Sequence, residues 1–349
     1  MAYNYTYYLP FEDDFDPDPS DQWMQKNWTR SIYYSIIYVI ACFGGRRIML
    51  NRPHYDLRTP LILWNSSLAA FSLLGAIRFA PDFFYVLWTF GFKFSICVMS
   101  YGQGVTAYWI QAFAMSKVLE LGDTVFIVLR KRPLIFLHWY HHVTVLVYTW
   151  HAFMAYTAAG RWFIFMNYSV HSVMYSYYAF RAANYSVPKW VAMCITVCQL
   201  LQMVIGIVIN MITLNYRLSG APCDQTRANN ILALAMYASY FLLFAHFFYK
   251  AYFVSGRYDG KGKAKMDQAA GKTKMDQAGE QGGHRNGYAK HAIKHLNQYM
   301  AIGPEGEGKE NHDKLDRPEG DYHFNGSIGD KESEPKNGFV KNGFHKKRQ

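Results

Sequence analysis

The sequence predicts an all-α membrane protein with seven transmembrane helices. The chain has 349 residues, of which 51% are hydrophobic and 18% aromatic, which is too apolar for two ordinary soluble domains. The mean hydropathy of −0.11 conceals this, because residues 255–349 carry 16 of the 26 glycines, 32 charged side chains and no apolar run. The formal charge is −4 in residues 1–30, +11 in residues 31–254 and +4 in residues 255–349. Cations in short loops between apolar runs indicate membrane sidedness rather than a nucleic-acid surface.

Seven apolar runs are long enough to cross a hydrocarbon layer of about 30 Å, which takes roughly 20 helical residues. They are residues 31–45, 61–77, 105–129, 134–156, 162–180, 190–214 and 231–254. An eighth stretch, residues 83–100, is interrupted by Gly91 and Lys93. If it also crossed, the arginines of residues 46–58 would be lumenal, against the usual excess of cations on the cytosolic side. We therefore predict a lumenal, interfacial or re-entrant segment there.

This arrangement predicts three regions: an acidic lumenal N-terminus (1–30), a seven-span domain (31–254) and a disordered cytosolic tail (255–349). The tail ends Lys346-Lys347-Arg348-Gln349, which is similar to the di-lysine retrieval signals of endoplasmic reticulum membrane proteins. The prediction is a multi-pass protein of that membrane, with a basic unstructured end as the alternative. Cys97 and Cys223 both lie in predicted lumenal segments and could form a disulfide.

Ionisable and polar side chains lie inside four of the predicted spans, where they are costly and usually functional. They are Lys117, Glu120 and Asp123 in the third span, His138, His141 and His142 in the fourth, Asn167, His171 and Tyr175 in the fifth, and Gln199 and Gln202 in the sixth. Measured from the cytosolic end of each span at about 1.5 Å per residue, the central members lie roughly 12–17 Å deep. Four helices therefore place polar groups in one layer near the midplane.

Each of these groups also has a purely structural interpretation. Lys117 and Glu120 could form a buried ion pair, and Gln199 and Gln202 could hydrogen-bond neighbouring helices. A non-enzymatic alternative for the whole protein is a seven-span receptor or transporter that binds a lipid at the midplane.

The cluster of His138, His141 and His142 on one helix face admits two chemistries. Diiron desaturases and hydroxylases use about eight histidines in three boxes. Residues 31–254 contain seven histidines and one box, so no metal is expected. The other chemistry is nucleophilic or acid–base catalysis by a neutral imidazole, which burial keeps unprotonated.

Five motifs together resemble the membrane-bound fatty acid elongase family between Gln22 and Phe253. They are SKVLELGDT (116–124), LRKRPLIFLHWYHHVTVLVY (129–148), MNYSVHSVMYSYYAFRAA (166–183), the Thr196-x-x-Gln199-x-x-Gln202 run and LFAHFFYKAY (243–252). The sequence of the histidine box is similar to that of the elongase family members that extend saturated and monounsaturated acyl-CoAs of the palmitate class. The long tail extends beyond the usual end, and Arg132 stands where glutamine is expected.

This resemblance implies a very-long-chain 3-oxoacyl-CoA synthase, which condenses long-chain acyl-CoA with malonyl-CoA to 3-ketoacyl-CoA, CO2 and CoA in the first step of each elongation cycle. It implies six helices around a tunnel closed at the lumenal end and an acyl-imidazole intermediate on His141. It implies no cofactor beyond the two CoA substrates. The expected partners are the ketoreductase, dehydratase and enoyl reductase of the cycle, and no nucleic acid is expected.

Two further sets of residues acquire roles in this scheme. Asn167, Tyr175, Gln199 or Gln202 would donate hydrogen bonds to the thioester oxygen or to the enolate derived from malonyl-CoA. The cations at the cytosolic mouth suit the phosphates of CoA. These are Arg130, Lys131 and Arg132, with Lys189, Lys250 and Arg257 as weaker candidates.

Overall fold

The computed structural model describes residues 3–254, and in this part of the chain it is all-helical, with no β-strand. The α-helices are α1 (Pro10–Asp13), α2 (Pro17–Asn27), α3 (Arg30–Met49), α4 (Arg58–Cys97), α5 (Gly104–Leu119), α6 (Asp123–Leu129), α7 (Phe136–Met154), α8 (Gly160–Ala182), α9 (Lys189–Leu218) and α10 (Arg227–Phe248). A 3-10 turn (Glu120–Gly122) joins α5 to α6, and a π-helical segment (Tyr249–Val254) extends α10. The predicted all-α class is confirmed.

Helices α3 to α10 run back and forth along one bundle. At one end, which we call the disulfide end, Cys97 at the end of α4 is bonded to Cys223 before α10, as the sequence suggested. At the other end, the basic end, the Tyr55 N–H donates to the Leu129 carbonyl oxygen at 3.1 Å. Arg58 also donates there to the last carbonyl groups of α8 at 3.2 Å. With α5 and α6 counted as one pass, the chain traverses the bundle seven times.

Three of the helices in the described region are long and apolar enough to cross a membrane: α4, α9 and α10 with its extension. Apolar side chains also face outward on α3, where Ile37 and Ile40 are 62% and 66% exposed. Contiguous exposed apolar surface of this kind is rare on soluble proteins and fits a lipid environment. That all seven passes cross the membrane stays a prediction.

The second predicted span does not end at residue 77, but the interruption predicted at Gly91 is present. Both stretches belong to the 40-residue helix α4, which contains Pro81 and stays helical through residue 90. The only non-helical backbone inside α4 is at Gly91, whose φ of 82° and ψ of 174° are open essentially to glycine alone. The uninterrupted part of α4 therefore ends at residue 90, and the chain changes direction at Gly91 before a last short helical turn. At about 1.5 Å per residue this part is about 50 Å long, which is more than the thickness of a hydrocarbon layer.

The third predicted span, residues 105–129, is interrupted rather than straight. The 3-10 turn at Glu120–Gly122 separates α5 from α6 in the middle of the pass. A Cβ atom at Gly122 would lie 2.7 Å from the Trp64 ring of α4, so only glycine lets the turn approach that helix. The remaining predicted spans correspond to α3, α7, α8, α9 and α10, with ends displaced by a few residues.

The N-terminal segment is folded against the disulfide end of the bundle. Met24 of α2 is fully buried beside Ala114, Leu146 and Trp150 of α5 and α7. The sequence predicted only an acidic lumenal region here. The predicted tail of residues 255–349, with its di-lysine-like end, lies outside the described residues.

Candidate active site

A cavity of about 600 Å³ runs along the inside of the bundle. It reaches from Arg132 and Pro133 at the basic end to Gln103 and Tyr156 at the disulfide end. Side chains of α2 and of α5 to α10 line it, together with Phe94 of α4, Glu120 of the 3-10 turn and loop residues at both ends, and α3 contributes none. Most of the predicted polar layer faces this cavity: Glu120, Asp123, His138, His141, His142, Asn167, His171, Tyr175, Gln199 and Gln202.

Lys117, Glu120, Asn167 and His171 form a closed polar ring beside the cavity. The Lys117 ammonium donates to Glu120 Oε1 at 2.6 Å and to Asn167 Oδ1 at 3.0 Å. Asn167 Nδ2 lies 3.1 Å from His171 Nε2, and His171 Nδ1 lies 3.9 Å from Glu120 Oε2. Lys117 is 2% exposed and stands behind the cavity wall, where it balances the Glu120 charge.

The ring determines the tautomer of His171. An ammonium can only donate, so Asn167 must turn its oxygen to Lys117 and its amide N–H groups to His171. His171 Nε2 is therefore the acceptor, and a neutral ring carries its proton on Nδ1, toward Glu120 Oε2. That carboxylate oxygen is buried and has no hydrogen-bond donor within the described region. The ring thus presents an unsatisfied carboxylate oxygen and an imidazole N–H together.

The three histidines of α7 occupy different environments. His138 Nε2 lies 2.9 Å from the Thr124 hydroxyl, which in turn lies 2.7 Å from the Tyr38 hydroxyl of α3. The His142 ring lies 4.5 Å from that of His138, and its Nδ1 atom is buried without a hydrogen-bond partner in the described structure.

His141 is only partly buried by protein and faces the cavity. Its ring packs 5.0 Å from the Tyr240 ring of α10, whose hydroxyl donates to the His141 carbonyl oxygen at 3.2 Å. Within residues 3–254 no hydrogen bond to the His141 ring is observed. An imidazole whose nitrogens carry no protein hydrogen bond keeps a lone pair for a ligand in the cavity.

Asp123 belongs to a separate group of side chains. It accepts hydrogen bonds from Trp64 Nε1 at 2.6 Å and from the Tyr175 hydroxyl at 2.8 Å. Tyr175 thereby commits its proton to Asp123 rather than to the cavity. The geometry therefore does not favour the predicted use of Tyr175 as a donor to substrate.

The two glutamines of α9 remain available to a ligand. Gln199 Nε2 contacts the Met174 sulfur at 3.3 Å, a weak interaction that a stronger acceptor would replace. Gln202 lines the cavity and makes no hydrogen bond to the described part of the chain.

Of the predicted cations at the basic end, the structure brings one to the cavity. Arg132 lines it. Lys131, in a left-handed conformation with φ of 53°, turns away and donates to two backbone carbonyl groups after α3. Arg130 is buried outside the lining, and Lys189 and Lys250 are exposed on the surface of the basic end. Arg257 lies outside the described residues.

Sequence reasoning missed three residues that hold the layer together: Tyr38, Trp64 and Tyr240. Each is an aromatic side chain whose polar atom forms a hydrogen bond to another helix. Tyr38 carried a weak signal, because Ser31, Ser35 and Tyr38 repeat at helical spacing on α3 and are all buried. No spacing rule links Trp64 or Tyr240 to its partner, since both partners come from other helices.

The histidine cluster does not form a metal centre in the described structure. Among residues 3–254, no group of three or more His, Cys, Asp or Glu side chains is arranged to hold a metal ion. That the protein needs no cofactor remains an expectation.

The fold and the cavity together define a membrane-embedded helical protein with a polar reaction chamber inside its bundle. The family model described as ELO: GNS1/SUR4 family matches residues 23–260. The chain belongs to this family.

Relatives named as fatty acid elongases extend the comparison. Putative fatty acid elongase 3 of Caenorhabditis elegans is 53% identical over 254 residues, which cover 71% of this chain and 78% of the relative. Very long chain fatty acid elongase 6 of Drosophila melanogaster is 51% identical over 257 residues, 72% of this chain and 81% of the relative. Its human counterpart is 46% identical over 243 residues, 69% of this chain and 91% of the relative. The resemblance to fatty acid elongases is confirmed.

Proposed function

We propose that the protein is a very-long-chain 3-oxoacyl-CoA synthase that condenses a long-chain acyl-CoA with malonyl-CoA. The observation that carries this proposal is the layer around His141. An imidazole with free nitrogens faces an elongated cavity beside a second imidazole, a carboxylate and two amides. Family membership and relatives named as fatty acid elongases support the same activity.

In the first half-reaction the neutral His141 ring attacks the thioester carbonyl carbon. The C–S bond breaks, the CoA thiolate takes up the proton that the imidazole gives up, and the acyl group stays on His141 as an acyl-imidazole. A nucleophile in this position splits one difficult condensation into two easier steps. The Tyr240 ring holds the imidazole from one side, and the hydroxyl group of Tyr240 holds its backbone carbonyl.

In the second half-reaction malonyl-CoA loses CO2, and the resulting enolate carbon attacks the acyl carbon. The C–N bond to His141 breaks, which releases 3-ketoacyl-CoA and returns a neutral imidazole once a proton is supplied. The His171 Nδ1–H and the Gln199 and Gln202 amides are the donors nearest this chemistry, and each would stabilise an enolate or tetrahedral oxyanion. Asn167 orients His171, and the Lys117–Glu120 pair fixes the charge behind it.

The acyl chain would extend from His141 toward the disulfide end, where the lining becomes predominantly apolar. Ile110, Phe113, Val145 and Phe163 line this part of the cavity. The CoA portion would then lie at the basic end, where Arg132 offers a guanidinium to its phosphates. In this arrangement the cavity serves as the predicted tunnel, with α3 outside the helices that surround it.

The membrane topology belongs to the same proposal. Seven crossings would place the basic end and residue 254 in the cytosol, and the disulfide end and the N-terminus in the lumen of the endoplasmic reticulum. A disulfide at the second end fits an oxidising lumen. Cooperation with the ketoreductase, dehydratase and enoyl reductase follows from the chemistry, since a 3-ketoacyl-CoA must be reduced, dehydrated and reduced again before another round.

The test is incorporation of radiolabelled malonyl-CoA into a palmitoyl-CoA primer by microsomes containing the full chain. Wild type should form labelled product, and His141→Ala should lose about 10³-fold or more of that activity, as loss of a nucleophile does. His151→Gln is the matched control, because His151 lies on the same helix outside the cavity lining and contacts Asn229 at 3.3 Å. Equal incorporation by wild type and His141→Ala would exclude the proposed role of His141.

A further inference from the structure

The cavity is bounded at the disulfide end by the N-terminal segment rather than by a helix of the seven-pass bundle. Four residues of this segment line it: Phe15, Pro17, Ser20 and Asp21. They lie where α5 begins and α7 ends, since Gln103 and Phe153 line the same region. The seven passes therefore leave an opening here, and the N-terminal segment covers it.

The cover is fixed to the bundle on both sides of the lining residues. Before them, Glu12 is buried and bonds Arg78 of α4 and Trp109 of α5. At their other end, the Tyr156 hydroxyl donates to Asp21, the last of them, at 3.0 Å and accepts from Gln25 at 2.9 Å. A segment held at two points can serve as a rigid wall for whatever fills the cavity.

The rise of α7 from His141 to Phe153, which lines the cavity near this wall, gives a measure of the length available to an acyl chain. Phe153 lies twelve residues beyond His141 on α7, which is about 18 Å at about 1.5 Å per residue. A saturated carbon chain with bonds of about 1.5 Å and angles of about 111° advances about 1.25 Å per bond. An extended palmitoyl chain is then about 19 Å long and a stearoyl chain about 21 Å long. An extended palmitoyl chain therefore matches this length, and a stearoyl chain exceeds it by about two bonds.

Resting on the proposed function, we propose that residues 15–21 form the end wall of the acyl chamber and that the Phe15 ring sets the longest primer accepted. Phe15 is the one large apolar side chain among the four lining residues of the segment. Its ring packs edge-on against Tyr108 of α5 at 5.5 Å, so it cannot retreat along that direction.

The test measures incorporation of radiolabelled malonyl-CoA by the full chain with myristoyl-, palmitoyl-, stearoyl- and arachidoyl-CoA as primers. Phe15→Ala should raise the stearoyl-to-palmitoyl rate ratio about tenfold, the usual effect of one or two methylene groups on a fitted apolar pocket. Phe15→Trp should change it in the opposite direction and favour myristoyl-CoA. Because one variant enlarges the chamber and the other shortens it, a general loss of folding cannot imitate both results.

Phe11→Ala is the matched control. Phe11 packs on the same Tyr108 ring at 5.0 Å but does not line the cavity, so its removal should leave the ratio unchanged. An equal shift with Phe11→Ala would show that any loosening of the segment suffices and would overturn the assignment to Phe15. An equal stearoyl-to-palmitoyl rate ratio in wild type and Phe15→Ala would overturn it too. Failure of wild type to extend any primer would instead refute the proposed function itself.

Discussion

Two buried glutamates, Glu12 and Glu120, each pair with a cation, but they differ in how many hydrogen bonds their carboxylate oxygens accept. Glu12 is 2% exposed, and both of its oxygens are fully used: Oε1 accepts from Arg78 and Trp109, and Oε2 from Arg78 and the Leu9 N–H. Glu120 is 4% exposed, but only Oε1 is bonded, to Lys117 and Ser116. Its Oε2 remains without a donor beside the cavity.

The difference shows how to separate structural from reactive charges inside a bundle. Burial of a charge is costly in both places and must be compensated. At Glu12 the compensation is complete, and its effect is to attach the N-terminal segment. At Glu120 it is incomplete, and such an orphaned oxygen is retained where chemistry needs it. Between these two glutamates, which are similarly buried, it is the one beside the cavity that keeps an unsatisfied oxygen.

The largest effect on activity is expected from Glu120→Gln. This change leaves Lys117 without its counter-charge and removes the carboxylate that faces His171 Nδ1. Condensation should fall about 10²-fold or more, as expected when a positioned acid–base group is lost. The unfolding free energy should fall by about 3–5 kcal/mol, the cost of breaking a buried pair. The readout is kcat on the folded fraction isolated by size exclusion, and a kcat equal to that of wild type would make Glu120 merely structural.

Glu12→Gln should lower the stability of the protein and leave its kcat nearly unchanged. It removes the counter-charge of the Arg78 guanidinium, which is 14% exposed and keeps only its hydrogen bond to the Tyr7 carbonyl oxygen, so the unfolding free energy should fall by about 3 kcal/mol. The kcat with palmitoyl-CoA should stay within about twofold of wild type, because sites more than about 10 Å apart couple weakly. Trp109, which contacts Glu12, lies about 16 Å along its pass from Glu120 at about 1.5 Å per residue. Thermal unfolding and initial rates of the same preparation check both statements, and a kcat loss like that of Glu120→Gln would remove the distinction.

A smaller effect concerns pH and the same Glu12 contact. Burial raises the pKa of the Glu12 carboxyl, but hydrogen bonds from Arg78, Leu9 and Trp109 outweigh it, and the pKa is lowered overall. A lowered pKa stabilises the fold at pH values above the ordinary pKa of about 4.3, and this stabilisation is lost as the pH falls through the folded-state value. Amide hydrogen exchange in α2 should therefore accelerate below about pH 4 in wild type. Glu12→Gln should show no such step, and an equal step in both proteins would assign it to another group.

Much of this architecture could be predicted because hydrophobic length and polar depth are local properties. The seven passes follow from apolar runs, and depth counting placed Glu120, His141, His171 and Gln199 in one layer, where the structure brings them to one cavity. What failed depends on packing between helices. The turn after Glu120 is invisible in a helical pattern, because it exists where Gly122 meets the Trp64 ring of another helix.

The contacts of the N-terminal segment could not be predicted from the sequence either, because they also depend on packing between distant residues. Its run of acidic residues is typical of a solvated terminus, and sequence counting treated Glu12 like its neighbours. Only the fold reveals that Arg78 and Trp109, 66 and 97 residues away, provide donors that let Glu12 alone be buried. The continuity of α4 past Pro81 was missed for a related reason, since proline predicts a helix end unless neighbouring elements support the helix.

The most direct test of the account is the intact mass of purified protein incubated with palmitoyl-CoA in the absence of malonyl-CoA. Wild type should gain one palmitoyl group on the peptide that contains His141 and release an equal amount of CoA. When malonyl-CoA is added, the group should leave His141 as 3-ketoacyl-CoA. His141→Ala should gain nothing. If wild type releases CoA only when malonyl-CoA is present, or if His141→Ala carries the same adduct, His141 is not the acyl acceptor.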